Sequence, residues 1–217
     1  MDGDLTETGV MTDRLSPERL APYVEAGGGD LNSAFELYVR NTSVSVALAA
    51  TIGHVEVILR NAIHQNLTSW STQRFAEPRW YLDSGGLLEP RQTAVIRRAR
   101  QRAVQYGRYT ETPGRVVAEL PFGFWRFLLT GQYDTTLWRQ SLFHVFPGQR
   151  QRRAIQDAVE VLHLSRNRIA HHEPMFNRPI ADIQVTALTL TEWICPVSRK
   201  WVERRCSVNQ VLGRRPG

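Results

Sequence analysis

The sequence predicts an all-α domain, and three observations carry that expectation. Apolar residues recur at spacings of three and four along the longest ordered stretch, through Leu48, Ile52, Val55, Leu59, Ile63 and Leu67. Helix start and stop signals divide the chain into segments of helical length. No stretch shows the clean period-two alternation of a half-buried strand.

Taken in order, the elements read as follows. The segment SPERLAPYVEAGGGD opens with Ser16 as N-cap and Pro17 at the first helical position, and three glycines end it. Asp30 then caps a long segment running to Leu67, with a break or bend expected near Thr42–Ser45. AEPRWYLDSGG is a loop, rich in turn residues and aromatics. Leu88 to Tyr106 is a basic amphipathic helix carrying Arg91, Arg97, Arg98, Arg100 and Arg102. A short helix, an interruption at Pro121–Gly123 and a strongly apolar helix follow. YDTTLWRQSLFHVFPG reads as one more helix, stopped by Pro147–Gly148. A long helix rises from Gln149, and a last one spans about Ile180 to Arg205 despite Pro196. About seven helices with short joints make a single bundle over 15–206, between an N-terminal tail (1–14) and a flexible C-terminal tail (207–217), both expected to be disordered or loosely held.

Composition narrows the class. The chain has 217 residues, 42% hydrophobic, with six Trp and eight Phe, enough to build a core and to exclude a disordered protein. Its formal charge of +6 comes almost wholly from arginine, because Lys200 is the single lysine. Guanidinium forks match phosphate oxygens two at a time, so a polyanionic partner is one expectation. Cys195 and Cys206 are expected on one helix about 16 Å apart, too far to bond there, which reads as reduced thiols in a cytoplasmic protein. The acidic, polar N-terminus is no signal peptide, and Val44 to Leu59, interrupted by His54 and Glu56, is too short to span a bilayer.

Chemistry-bearing residues concentrate in LSRNRIAHHEPMF, Leu164 to Phe176. On a helical wheel Ile155, Ala158, Val159, Leu162, Ile169 and Phe176 fall on one face, the buried one. Arg166 lies within about 40° of Leu162, beside that seam. Asn167 and His171 are one turn apart on the opposite face, and His172 flanks the apolar side. His171 and His172 point about 100° apart, so they do not share a metal, and no Cys stands near. Basic residues near a helix C-terminus also favour the macrodipole without any function.

Arg166-Asn167-Arg168-Ile169-Ala170-His171 resembles the R-N-x-x-x-H motif of the HEPN superfamily, and RNRIAHHEPMF resembles the signature of its Abi-like (abortive infection) branch. RLSPERLAPYVEAGGGD, AFELYVRNTSVSVAL, HVEVILRNAIHQNL and PFGFWRFLL resemble further Abi-like blocks in the same order, so the likeness covers about Leu15 to Cys206. The resemblance implies a HEPN-like helical bundle and a metal-independent endoribonuclease, a toxin or antiphage effector, with no cofactor. It implies a homodimer whose two motifs line one cleft, an RNA substrate and, as a further partner, a cognate antitoxin. Arg166, Asn167 and His171 take the motif positions, with His172 in reserve as the catalytic base. A non-catalytic module binding RNA, a nucleotide or a protein is the other outcome the resemblance allows.

A second Arg-Asn pair, Arg60 and Asn61, stands on the long segment expected to pack beside the motif, and with Arg168 it supplies candidate phosphate-binding positions. The bland alternative is a helix-surface ion pair from Glu56 to Arg60, with His64 one turn further on. Asn177 past Pro174 is either a weaker site candidate or a cap. The aromatic run FGFWRFLL is read as core before nucleobase platform. The Arg91–Arg102 helix is read as a solvated face, and as the first place for sequence-independent phosphate contacts if RNA binds.

Overall fold

The computed structural model describes residues 7–105 and 107–213. Among them every regular element is helical. The ten α-helices are α1 (Glu7–Leu15), α2 (Pro17–Ala26), α3 (Leu31–Phe75), α4 (Pro90–Ala103), α5 (Pro113–Ala118), α6 (Phe122–Leu128), α7 (Arg152–Ala170), α8 (Ile180–Ile194), α9 (Pro196–Arg205) and α10 (Val208–Gly213). That is more than the seven the sequence suggests, for identifiable reasons. Helices α1 and α10 form within segments read as tails. The expected last helix is two, because Pro196 has no N–H to give and Cys195 before it is extended (φ −161°, ψ 116°). Residues 1–6 and 214–217 of the tails, and Tyr106 at the end of the basic helix, lie outside the described residues.

Helix α3 organises the rest. Its 45 residues extend about 67 Å at 1.5 Å per residue, and α2, α6, α7, α8, α9 and α10 all pack on it. Leu48, Ile52, Val55, Leu59, Ile63 and Leu67 are fully or almost fully buried, the face the spacing predicts. Each such side chain contributes roughly 1.5–3 kcal/mol of burial. No break occurs at Thr42–Ser45. Thr42 and Ser43 turn their hydroxyls back to the carbonyls of Tyr38 (3.1 Å) and Val39 (3.2 Å), which keeps them inside the helix. By length and composition α3 is apolar enough to cross a membrane, and part of that surface is covered by the surrounding helices.

The N-terminal caps are as the sequence reads them: Ser16 Oγ accepts from the Arg19 N–H and Asp30 Oδ2 from the Ser33 N–H. FGFWRFLL is core. Phe122, Phe124, Trp125 and Leu128 are buried, and Trp80 packs on Phe124 and Trp125 at 6.2 and 6.0 Å. The stretch from Gly131 to Val145 is not one helix but two 3₁₀ turns and a π turn. Ser141 leaves helical geometry there (φ −150°), and its hydroxyl donates to Asn66 Oδ1 on α3.

Candidate functional site

The motif occupies the last turns of α7 and the loop after it. Helix α7 ends at Ala170, so the wheel drawn through Phe176 does not apply beyond His171. The ending is a Schellman motif: the His172 N–H reaches the Ile169 carbonyl (3.0 Å) and the Glu173 N–H the Arg168 carbonyl (2.9 Å). His172 takes the left-handed position that usually falls to glycine, at φ 56°. The adjacent histidines therefore diverge by a chain reversal rather than by a 100° helical step, and both are exposed. His172 does not flank the apolar face.

Five polar contacts hold this loop. Arg19 from α2 donates to the His172 carbonyl (2.7 Å). Asn41 Oδ1, buried on α3, accepts from the backbone N–H groups of Met175 (2.7 Å) and Phe176 (3.0 Å). Arg168 pairs with Glu173 (2.9 Å) and donates to the Pro174 carbonyl (3.0 Å). Its guanidinium is committed to its own loop. Met175 is fully buried, and Phe176 lies half-buried against Tyr23. Asn177 is exposed.

On the side facing α3 and α6 the helix carries a cluster of charge. Arg166 is exposed beside Glu56 of α3. Glu56 makes no ion pair with Arg60 among the described residues, and its carboxyl lies above the ordinary range. Burial raises it by more than Arg166 and then Arg60 pull it down. Arg60 keeps a buried Nε without an acceptor. His64 is spent elsewhere, with Nδ1 accepting from the Trp80 indole N–H (2.9 Å), and burial lowers its pKa. Asn61 does not join Arg60. It faces the other side of α3, in an open groove of about 580 Å³ shared with His144, Cys195 and Ser198.

One residue of the cluster was not among the sequence candidates. His163 lies one turn before Asn167, with Nε2 3.3 Å from the Asn167 amide nitrogen. The ring stands edge-on to Phe122 at 5.7 Å, and its Nδ1 is buried without a partner. Burial lowers its pKa first, then Arg126; Glu160, itself bonded to Arg126, raises it, and Arg166 lowers it again. Asn167 is consequently half-buried against His163 rather than turned to water. The spacing 163, 167, 171 was available as a signal, but the role of α6 in holding the ring was not.

The structure thus brings Arg166, Asn167 and His163 into one neighbourhood with Glu56 and Arg60, and places His171 and His172 in the exposed chain reversal that follows the helix. Arg168 and Asn61 fall outside that neighbourhood. Both cysteines are free and stand at opposite ends of α9, Cys195 as its N-cap and Cys206 as its C-cap. Among the described residues no three His, Cys, Asp or Glu side chains converge on a cation-sized point. The chain matches no protein-family model, no curated protein and no solved structure.

Proposed function

We propose that the chain is a metal-independent endoribonuclease of the HEPN, Abi-like kind, acting in the cytoplasm as a homodimeric toxin or antiphage effector. One observation carries the reading. Two exposed imidazoles, His171 and His172, stand at the end of α7 on a loop fixed by Arg19, Asn41 and Arg168, and the last turns of the same helix carry an exposed guanidinium, Arg166. Imidazoles on a tethered loop at an open surface, with a guanidinium in the preceding helical turns, suit acid–base chemistry on a phosphodiester. A histidine takes the proton of the ribose 2′-hydroxyl; O2′ bonds to phosphorus and the P–O5′ bond breaks. The departing O5′ takes a proton from an imidazole of the second copy, leaving a 2′,3′-cyclic phosphate and a 5′-hydroxyl. Arg166 offsets charge on the phosphorane oxygens.

A second reading, a binding module without catalysis, draws on the commitment of Arg168 to Glu173 and of Arg126 to Glu160, which leaves fewer free cations for phosphate. Incubation with tRNA and mRNA in EDTA separates the two. The proposal expects cleavage with cyclic-phosphate ends that disappears in the His171→Ala, His172→Ala double variant. Identical fragment patterns from both proteins sink it, and retention of RNA without cleavage selects the module.

A further inference from the structure

We propose that His163 is a positioning residue for this site: Nε2 accepts the Asn167 side-chain N–H and so turns the Asn167 carbonyl oxygen outward. The inference rests on the ribonuclease reading for its function, and on geometry alone for its structure. His163 and Asn167 are one helical turn apart on α7, with 3.3 Å between Nε2 and the amide nitrogen. The ring has little room to move. A Cβ on Gly123 of α6 would come within 3.2 Å of Nε2, so the imidazole lies directly on the α6 backbone, and Phe122 closes its edge.

The charges around the ring keep it neutral, and the Asn167 contact decides which nitrogen is bare. Arg126 from α6 and Arg166 from α7 oppose a proton on it. Glu160 favours one but is already bonded to Arg126, and Glu56 of α3 is within electrostatic reach of Arg166. Burial acts in the same sense as the two arginines, holding the group below the ordinary histidine value. A neutral ring that accepts at Nε2 carries its proton on Nδ1. With its nitrogen on His163, Asn167 presents Oδ1 away from the ring, as an acceptor. It therefore meets a ribose hydroxyl or an imidazole N–H, not a phosphate oxygen. Protonation of His163 at Nε2 would require the amide to reverse and present its NH₂ instead.

The test pairs nitrogen-15 NMR of the full chain with RNA cleavage in EDTA, for wild type, His163→Gln and His163→Leu. At neutral pH the wild-type ring should be the Nδ1–H tautomer, and the Asn167 NH₂ signals should move as His163 titrates. Glutamine keeps an acceptor, so cleavage persists while the acid limb of the pH–rate profile loses the His163 contribution. Leucine removes the acceptor, and kcat falls on the order of 10- to 100-fold with KM little changed. A ring protonated on Nε2 at neutral pH overturns the proposal, as does a leucine variant that cleaves like wild type with unmoved Asn167 signals. If wild type cleaves no RNA, the ribonuclease reading falls alone; the tautomer and amide signals still decide what His163 does.

Discussion

At the residue scale, the doubled histidine is two different residues. His171 ends the helix, whereas His172 sits at φ 56°, where a side chain is strained and glycine is not. His172→Gly should therefore stabilise the fold by about 0.5–1 kcal/mol, read as a higher urea midpoint at unchanged m. The same variant assigns the base: cleavage retained points to His171, cleavage lost to His172. His163 and His64 make a second prediction. Both have folded pKa values depressed by burial, so their stabilisation is full above the unfolded value near 6.5 and lost as pH falls through the lower folded values. Thermal midpoints should decline from about pH 7 downward, and His163→Gln should flatten part of that decline. Glu56 has the opposite sign. Its raised pKa means that ionisation costs stability as pH rises through the folded value, so it does not produce the acid loss.

At the element scale, the loop after α7 is held in place from α3 through one side chain. Asn41 Oδ1 takes two backbone N–H groups, and replacing it with alanine leaves both donors without that acceptor. Asn41→Ala should cost roughly 1–3 kcal/mol and speed hydrogen exchange at Met175 and Phe176 before it affects α8. Sequence reading found α3 and its buried face because burial on a helix imposes a three-four spacing that apolar residues report directly. It missed the continuity through Thr42 and Ser43, whose back-bonded hydroxyls look like turn signals until the helix around them is known. Arg166, Asn167 and His171 were legible as a local pattern. His163 was not, since what makes it more than a half-buried histidine is Gly123 and Arg126, forty residues away in sequence and adjacent only after α6 packs on α7. Arg60 and Asn61 are the converse case. Adjacent letters on a helix point about 100° apart, so proximity in sequence separated them in space.

At the scale of the whole molecule, the homodimer proposal needs a surface, and one apolar patch meets that need. Val161 and Leu164 on α7 and Val185 on α8 are 40%, 52% and 59% exposed. Val161 and Val185 border a groove of about 280 Å³ with Ala158 and Trp193 at its walls. The patch lies on α7 itself, on a stripe distinct from the His163–Asn167 stripe, so a second copy covering it would bring another α7 close without disturbing the charged cluster. A carboxylate inserted there opposes burial far more than it opposes folding, because the site is already open to water. Leu164→Glu should therefore leave the thermal midpoint nearly unchanged, convert a dimer to a monomer in sedimentation velocity, and abolish RNA cleavage together with the dimer. Val46→Glu on α3, at a position 65% exposed and off this patch, should alter none of the three. A Leu164→Glu monomer that cleaves at the wild-type rate would show that one copy suffices, and the second copy's imidazole would have no part in the proton transfers.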